Sequence, residues 1–307
     1  MENSEKHPMQ KLKDELMNIL NVIPEGSKIH YLDYPVHGNI GDLLIYKGTE
    51  QFFSDNKIKI MGQYSYHSFP GKLSIPTDHI IVCHGGGNLG DLYLPHQNFR
   101  EKIVEQYPNH RIVILPQTVY FEQRNREEQA RKIFNQHRHL YIFVRDKKSL
   151  SRLVGFTSKK FVSPDMAHQL WPIQVKRSPL KKTLYLLRKD KEKNNALRLD
   201  NSQDIMDWST LLSEAEKSSI KKMISDHNNK SPAAAQSWSL LKNNLIEKAV
   251  SVYSQYDEIT TSRLHGHILA CLMNKKNTLL DNSYGKNSAY FQTWTKLIST
   301  ARFKDKN

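Results

Sequence analysis

Short apolar runs alternate along this chain with longer stretches in which apolar residues recur every three or four positions. Leu12, Leu16, Ile19 and Leu20 fall at helical spacing and predict a helix over 9–22. Beyond it, "KIHYLDY" reads as a strand and "GDLLIYKGTEQFF" as a helix. The pattern then repeats: strand "HIIVCH", helix "NFREKIVEQY", strand "RIVILP", helix "REEQARKIFNQH", strand "LYIFVRD". This rhythm belongs to an α/β unit with a largely parallel sheet. A second block begins near residue 180 with the strand "KTLYLLRKD" and continues through two helices between 213 and 253. After them come a strand "EITTSR", a helix "LHGHILACLMN", a strand "NTLLD" and a closing helix "SAYFQTWTKLIS". Between the blocks, "QLWPIQVKRSPLKK" carries two prolines among basic residues, so two domains are expected, 1–175 and 176–307. The polar run "SDHNNKSPAAAQSW", 225–238, reads as a loop, either over a site or as a surface insertion.

Ligands of open parallel sheets gather at the carboxyl ends of the strands, so the turns there are searched first. Two of them resemble each other: "HGNIGD" at 37–42 and "HGGGNLGD" at 84–91. Their glycines let backbone approach a ligand, and Asp42 and Asp91 fall where they either cap the next helix or face a substrate. Gly85, Gly87 and Gly90 formally satisfy the dinucleotide fingerprint, but the next strand ends in Pro116 and Gln117 where an acidic residue is required, which excludes a nicotinamide or flavin site. Other strand ends add charge: Arg145 and Asp146 after "LYIFV", Asp165 in "FVSPDMAH", Arg188 after "TLYLL".

The stretch "TSRLHGHILACLM" puts Arg263 and His265 where an apolar strand turns into an apolar helix. The free N–H groups of the helix start face the same place, which suits a phosphate or carboxylate. Arginine supplies a bidentate fork for either anion, and a histidine exchanges protons near neutrality. His267, two residues on, points elsewhere and reads as a packing or capping residue.

Composition narrows the partners. The 45 Lys and Arg against 31 Asp and Glu give a formal charge of +14 over 307 residues, which favours an anionic partner: nucleic acid, acidic lipid, phosphorylated metabolite or acidic glycan. The basic residues are scattered and accompany no RNP-like or zinc-finger pattern, so no nucleic acid is expected. Two cysteines, Cys83 and Cys271, sit in apolar runs, so neither a disulfide nor a metal site is expected. No apolar stretch is long enough to span a bilayer and the first residues lack a signal-peptide plan, which points to the cytoplasm.

Taken together, "GNIGDLLIYKGTEQFF", "HGGGNLGDLY", "ILPQTVYF", "VRDKKSL", "VSPDMAH", "TSRLHGHILACLM" and "LLDNSYGKN" resemble, in order, the polysaccharide pyruvyl transferase family. The resemblance covers about residues 30 to 290. It implies two Rossmann-like domains similar to glycosyltransferase type B, with the active site in the cleft between them. It also implies transfer of the enolpyruvyl group of phosphoenolpyruvate onto two hydroxyls of a sugar, as a cyclic ketal, with phosphate released and neither metal nor cofactor. By motif, Asp42, Arg145 and His265 form the expected catalytic core. Arg263, Arg188, Lys286 and Gly266 are expected on the donor; Asn39, Gly85, Gly86, Gly87, Asn88 and Asp91 on the acceptor. Ketal chemistry needs a proton donor, a proton acceptor and cations; His265 suits the first, Asp42 a sugar hydroxyl, and Arg145 a clamp on the donor. The acceptor implied is a sugar or lipid-linked oligosaccharide of a bacterial surface or exopolysaccharide pathway, modified at the cytoplasmic face of the membrane; the basic surface and the amphipathic N-terminal helix fit either loose peripheral membrane association or an ordinary solvated surface and packing helix. Two other readings are kept: a nucleotide-sugar glycosyltransferase of the same fold, and a non-catalytic binder of acidic glycan or membrane surface whose binding weakens steeply with salt.

Overall fold

The structure, a computed structural model, describes residues 6–175, 178–189, 203–231 and 233–304. Two parallel sheets account for the strands. The first holds β1 (Lys28–Leu32), β2 (Lys59–Tyr64), β3 (Ile80–Cys83), β4 (Gly86–Gly90), β5 (Ile112–Tyr120), β6 (Leu140–Val144) and β7 (Lys160–Val162). Its order is β2-β1-β3-β5-β6-β7, and β3 and β4 pair with successive halves of β5. The second sheet holds β8 (Lys181–Leu186), β9 (Asp204–Met206), β10 (Tyr256–Thr261), β11 (Lys276–Leu280) and β12 (Ala301–Lys304), in the order β12-β11-β10-β8-β9. In the first sheet the chain reverses its direction of travel between β1 and β3, in the second between β8 and β10. Such reversals open a crevice outside the carboxyl ends of the strands.

The helices follow the apolar periodicity. They are α1 (Pro8–Leu16), α2 (Ile40–Asp55), α3 (Leu94–Gln106), α4 (Arg124–Asn135), α5 (Lys147–Arg152), α6 (Trp208–Leu211), α7 (Glu214–Asn228), α8 (Ala234–Ser254), α9 (Leu264–Leu272) and α10 (Lys286–Tyr290). The run expected as a loop at 225–238 is instead the end of α7, a short connection and the start of α8. Ala234 and Trp238 are buried, and Trp238 donates from Nε1 to the carbonyl of Pro35 at 2.8 Å, so these two residues pack a helix where polar neighbours suggested a loop. The segment expected as one closing helix splits into α10 and a single wide turn, Phe291–Thr295. The boundary segment "QLWPIQVKRSPLKK" includes 176–177, which lie outside the described residues.

One apolar core runs through both sheets' surroundings. It joins Leu12 and Leu16 of α1, Leu43 and Phe52 of α2, Trp238 and Ile246 of α8, and Ile268 and Leu272 of α9. A second core, around Ile81, Ile114, Phe134 and Phe156, fills the other face of the first sheet. Both cysteines are buried thiols, each pushed up to about 12 by that burial, as the sequence reading expected of small core residues.

Candidate active site

A cavity of about 280 Å³ opens where the carboxyl ends of the two sheets meet, at the lower end of the size of small-molecule sites. The loop after β1 contributes His37 and Asn39, the first turn of α2 contributes Asp42, and β4 contributes Gly87 and Asn88. From the second sheet, Arg188 follows β8, while Arg263, Leu264 and His265 follow β10. Both chain reversals therefore supply this one wall-to-wall site.

The start of α2 is built around Asn39. Its Oδ1 accepts from the Gly41 amide at 3.1 Å as the N-cap, and its Nδ2 donates to Asp42 Oδ2 at 2.8 Å. The cap role is thus met by Asn39, and the Asp42 carboxylate is left facing the cavity with 28% of its side chain exposed. Burial works against its charge, but His37, His265, His84 and Lys286 outweigh that and hold it below the usual carboxylate range. Gly41 admits His265: a β-carbon there would lie 2.6 Å from the imidazole Nδ1.

Behind His265 stands a fully enclosed ion pair. The ring's Nε2 donates to Asp165 Oδ2 at 3.1 Å, and Arg145 Nη1 donates to the same oxygen at 2.6 Å. Asp165 also caps a short turn, accepting from the Ala167 amide at 3.0 Å, while its own amide donates to the Tyr290 hydroxyl at 3.1 Å. Burial would raise this carboxyl, yet His265 and Arg145 drive it far below the ordinary range, so it is ionised. An ionised partner on Nε2 leaves the Nδ1 edge, which faces the start of α2, as the position that gives or takes a proton.

Three cations complete the wall. Arg263 is gripped by Asp207, with Nη2 donating to Oδ2 at 2.7 Å and Nε to Oδ1; Asp207 in turn caps α6. Arg188 is fixed through its amide, which donates to Ser262 Oγ at 2.9 Å. Lys286 opens α10, its amide donating to Asn282 Oδ1 at 2.8 Å, and its ammonium reaches the glycine strand: a β-carbon on Gly87 would lie 3.0 Å from Nζ. Cations converging beside two helix starts suit an anionic ligand. Among the described residues, no group of three His, Cys, Asp or Glu side chains is placed to hold a metal ion.

Of the residues expected from sequence, Asp42, His265, Asn39, Gly87, Asn88, Arg188, Arg263 and Lys286 line the cavity together. Arg145 differs from the expected substrate clamp. Its side chain is fully buried, and Nε and Nη2 donate to Thr118 Oγ1 at 3.2 and 2.7 Å while Nη1 serves Asp165, so it sets Asp165 and His265 in place. Gly266 lies inside the fold, where a β-carbon would sit 2.6 Å from Thr261 Oγ1 and 2.7 Å from Leu186, so it lets α9 pack on β8 and β10. Asp91 accepts from the amides of Glu122 and Gln123 at 2.8 and 2.7 Å and ties down the end of β5, outside the cavity. Gly85 precedes β4 and Gly86 opens it with φ 136°, and neither is on the cavity wall. His267 is buried in packing, bonded to Asn277 at 2.5 Å and Thr295 at 2.8 Å. Sequence reasoning passed over His37, Tyr93, His96 and Trp208 on the wall and gave Asp165 no role. His37, Tyr93 and Asp165 stand inside quoted motifs, whereas His96 and Trp208 carry no local signal.

Comparison with known proteins gives the family. A family model described as polysaccharide pyruvyl transferase matches residues 39–284. The chain is 41% identical over 304 residues to EpsO of Bacillus subtilis (strain 168), whose name places it among the pyruvyl transferases, covering 97% of this chain and 94% of that one. It is 27% identical over 287 residues to pyruvyl transferase 1 of Schizosaccharomyces pombe (strain 972 / ATCC 24843), covering 87% and 69%. A crystal structure of a functionally uncharacterised Klebsiella pneumoniae protein superposes with a TM-score of 0.64 at 20% identity, over 96% of this chain and 98% of that one, and shares the fold.

Proposed function

The chain belongs to the polysaccharide pyruvyl transferase family and is a pyruvyltransferase, and from that premise we propose that it takes the enolpyruvyl group of phosphoenolpyruvate and closes it as a ketal on two hydroxyls of a sugar, releasing phosphate. The observation that carries this is the placement of Asp42 and the Asp165-backed His265 around one cavity with Arg188, Arg263 and Lys286. The cations hold the donor's phosphate and carboxylate. The His265 imidazolium gives a proton from Nδ1 to the methylene carbon, which becomes the methyl group, and the adjacent carbon takes oxocarbenium character. Asp42 accepts the proton of the first sugar hydroxyl as its oxygen bonds to that carbon. The carbon–oxygen bond to phosphate then breaks, phosphate leaves with the electron pair, and the second hydroxyl closes the ring. Asn39, Gly87 and Asn88 serve the acceptor side.

This reading takes the two parallel sheets as two Rossmann-like domains, 1–175 and 176–307, of glycosyltransferase type B kind, with the site in the cleft between them. Among the described residues no helix is long and apolar enough to cross a membrane, and the proposal places the enzyme at the cytoplasmic face, acting on a surface or exopolysaccharide precursor. The test is phosphate release from phosphoenolpyruvate with sugar acceptors present and absent, beside thermal titration with uridine and guanosine diphosphates. Acceptor-dependent release by the wild type, lost in His265→Ala, is the expected result. A thermal shift with a nucleotide and none with phosphoenolpyruvate would replace the proposal with a nucleotide-sugar enzyme.

A further inference from the structure

Closing a ketal removes two hydroxyl protons, and Asp42 has been given one of them. The first-sheet side of the cavity, where His37 lies near both Asp42 and His96, carries a second carboxylate-backed imidazole that the steps above leave unused. His96, near the start of α3, lines the cavity with its side chain 14% exposed, and its Nδ1 lies 2.7 Å from Asp33 Oδ1. Asp33 is fully enclosed at the end of β1, and Arg100 Nη2 lies 2.8 Å from its other oxygen as an ion pair, off the line of a hydrogen bond. Burial opposes its ionisation, but His96 and Arg100 keep it below the usual carboxylate range.

Two further facts set this pair apart from ordinary packing. Asp33 takes φ 66°, a left-handed backbone that a residue other than glycine adopts at a cost, which points its carboxylate back under α3. Arg100 also donates from Nη1 to the Asn88 carbonyl at 3.0 Å and from Nη2 to Asn88 Oδ1 at 2.8 Å, so one guanidinium aligns Asp33 and the acceptor-side Asn88 together. An ionised Asp33 accepts from Nδ1–H, and among the described residues the hydrogen bonding of His96 is confined to that nitrogen. With Nδ1 held on Asp33, Nε2 is the ring nitrogen left for proton exchange with a ligand in the cavity. The arrangement repeats the Asp165–His265 pair with the ring nitrogens exchanged.

We propose that His96, held by Asp33, is the second proton acceptor of the reaction and takes the proton of the ring-closing hydroxyl. In that step the second sugar oxygen forms its bond to the ketal carbon while its proton moves to Nε2, and the proton then passes to the departing phosphate. Asp33 is a positioning residue. The inference rests on the ketal-forming reading above and extends it to the acceptor side.

The test separates the two halves of the reaction with His96→Asn, whose amide N–H can keep the bond to Asp33 but offers no basic nitrogen. Wild type and variant are run in deuterium oxide with phosphoenolpyruvate and a panel of methyl hexopyranosides, following deuterium entering the methylene carbon and ketal appearing. The expected result is deuterium uptake within about threefold of wild type and ketal formation reduced about 100-fold or more, the usual scale for losing an acid–base group. Ketal formation at the wild-type rate overturns the proposal. So does equal loss of both readouts in a variant that melts with the wild type, because His96 would then serve the donor step. His96→Gln decides the matter by the same two readouts if His96→Asn melts early. Absence of any phosphoenolpyruvate chemistry in the wild type overturns the donor reading itself, a different and distinguishable failure.

Discussion

The imidazole of His265 owes its working state to a carboxylate it meets 100 positions away along the chain. Asp165 fixes which ring nitrogen carries the bonded proton, so Asp165→Asn is expected to cost at least about 100-fold in kcat with little change in the donor KM, since Asp165 lies off the cavity wall. Steady-state kinetics on the purified variant checks this; a change confined to KM would assign Asp165 to binding. Other buried histidines set the response to acid. Burial drives His84 down to about 3 and His168 and His267 to about 4, whereas in the unfolded chain each titrates near its ordinary value of 6.5. Below that ordinary value the unfolded chain takes up protons that the folded one refuses, so stability present at neutral pH is lost as pH falls from about 6.5 toward 4. Each such site shifts the folding equilibrium by up to about tenfold per pH unit. Urea midpoints at pH 7.5, 6 and 5 should fall in that order, and a level series would contradict the assignment. Asp33, Asp42 and Asp165, all lowered, add a further loss at lower pH as they protonate.

At the scale of elements, α2 meets the cavity and His265 through its first turn. Alanine normally stabilises a helix position held by glycine, but at Gly41 its methyl group would meet the His265 ring. Gly41→Ala is therefore expected to lose at least about tenfold in activity while melting within a few degrees of the wild type, as measured by parallel assay and thermal melt; full activity would remove the contact from the mechanism. Gly90 tests a different constraint. Its φ of 131° and the Tyr120 carbonyl packed against it leave no room for a β-carbon, so Gly90→Ala should lower the melting point outright by distorting the β4–β5 pairing. The strands that sequence reading missed follow one rule. β2, β7, β9 and β12 are all edge strands, and they expose many of their residues, so they bury too little to produce an apolar run. β4 escaped for another reason: a strand written Gly-Gly-Asn-Leu-Gly carries no β-propensity and is held in place by β5. Central strands such as β3 and β6 were legible because both faces are covered.

Across the whole molecule, the two halves defined by the sheets share one core. α2 packs against both α8 and α9, and Lys242 of α8 reaches Glu50 with its ammonium 4.0 Å from the ring of Tyr46. A fragment of residues 1–175 would expose the α2 face that meets α8 and α9, and it is expected to lack a cooperative melt; a sharp transition by calorimetry would show the halves to be independent. The order of elements, the parallel sheets and the motifs carrying Asn39, Asp42, Arg263, His265 and Lys286 were determined by the sequence alone, because each is a local pattern: an apolar period, a cap, a glycine turn, a cation at a helix start. Only tertiary structure decided that Arg145 stands behind the site instead of in it, that Asp165 and Asp33 each orient an imidazole, and that His96 faces the cavity. Those roles depend on which side chains are buried against partners distant in the chain, and no local spacing encodes a contact across two sheets.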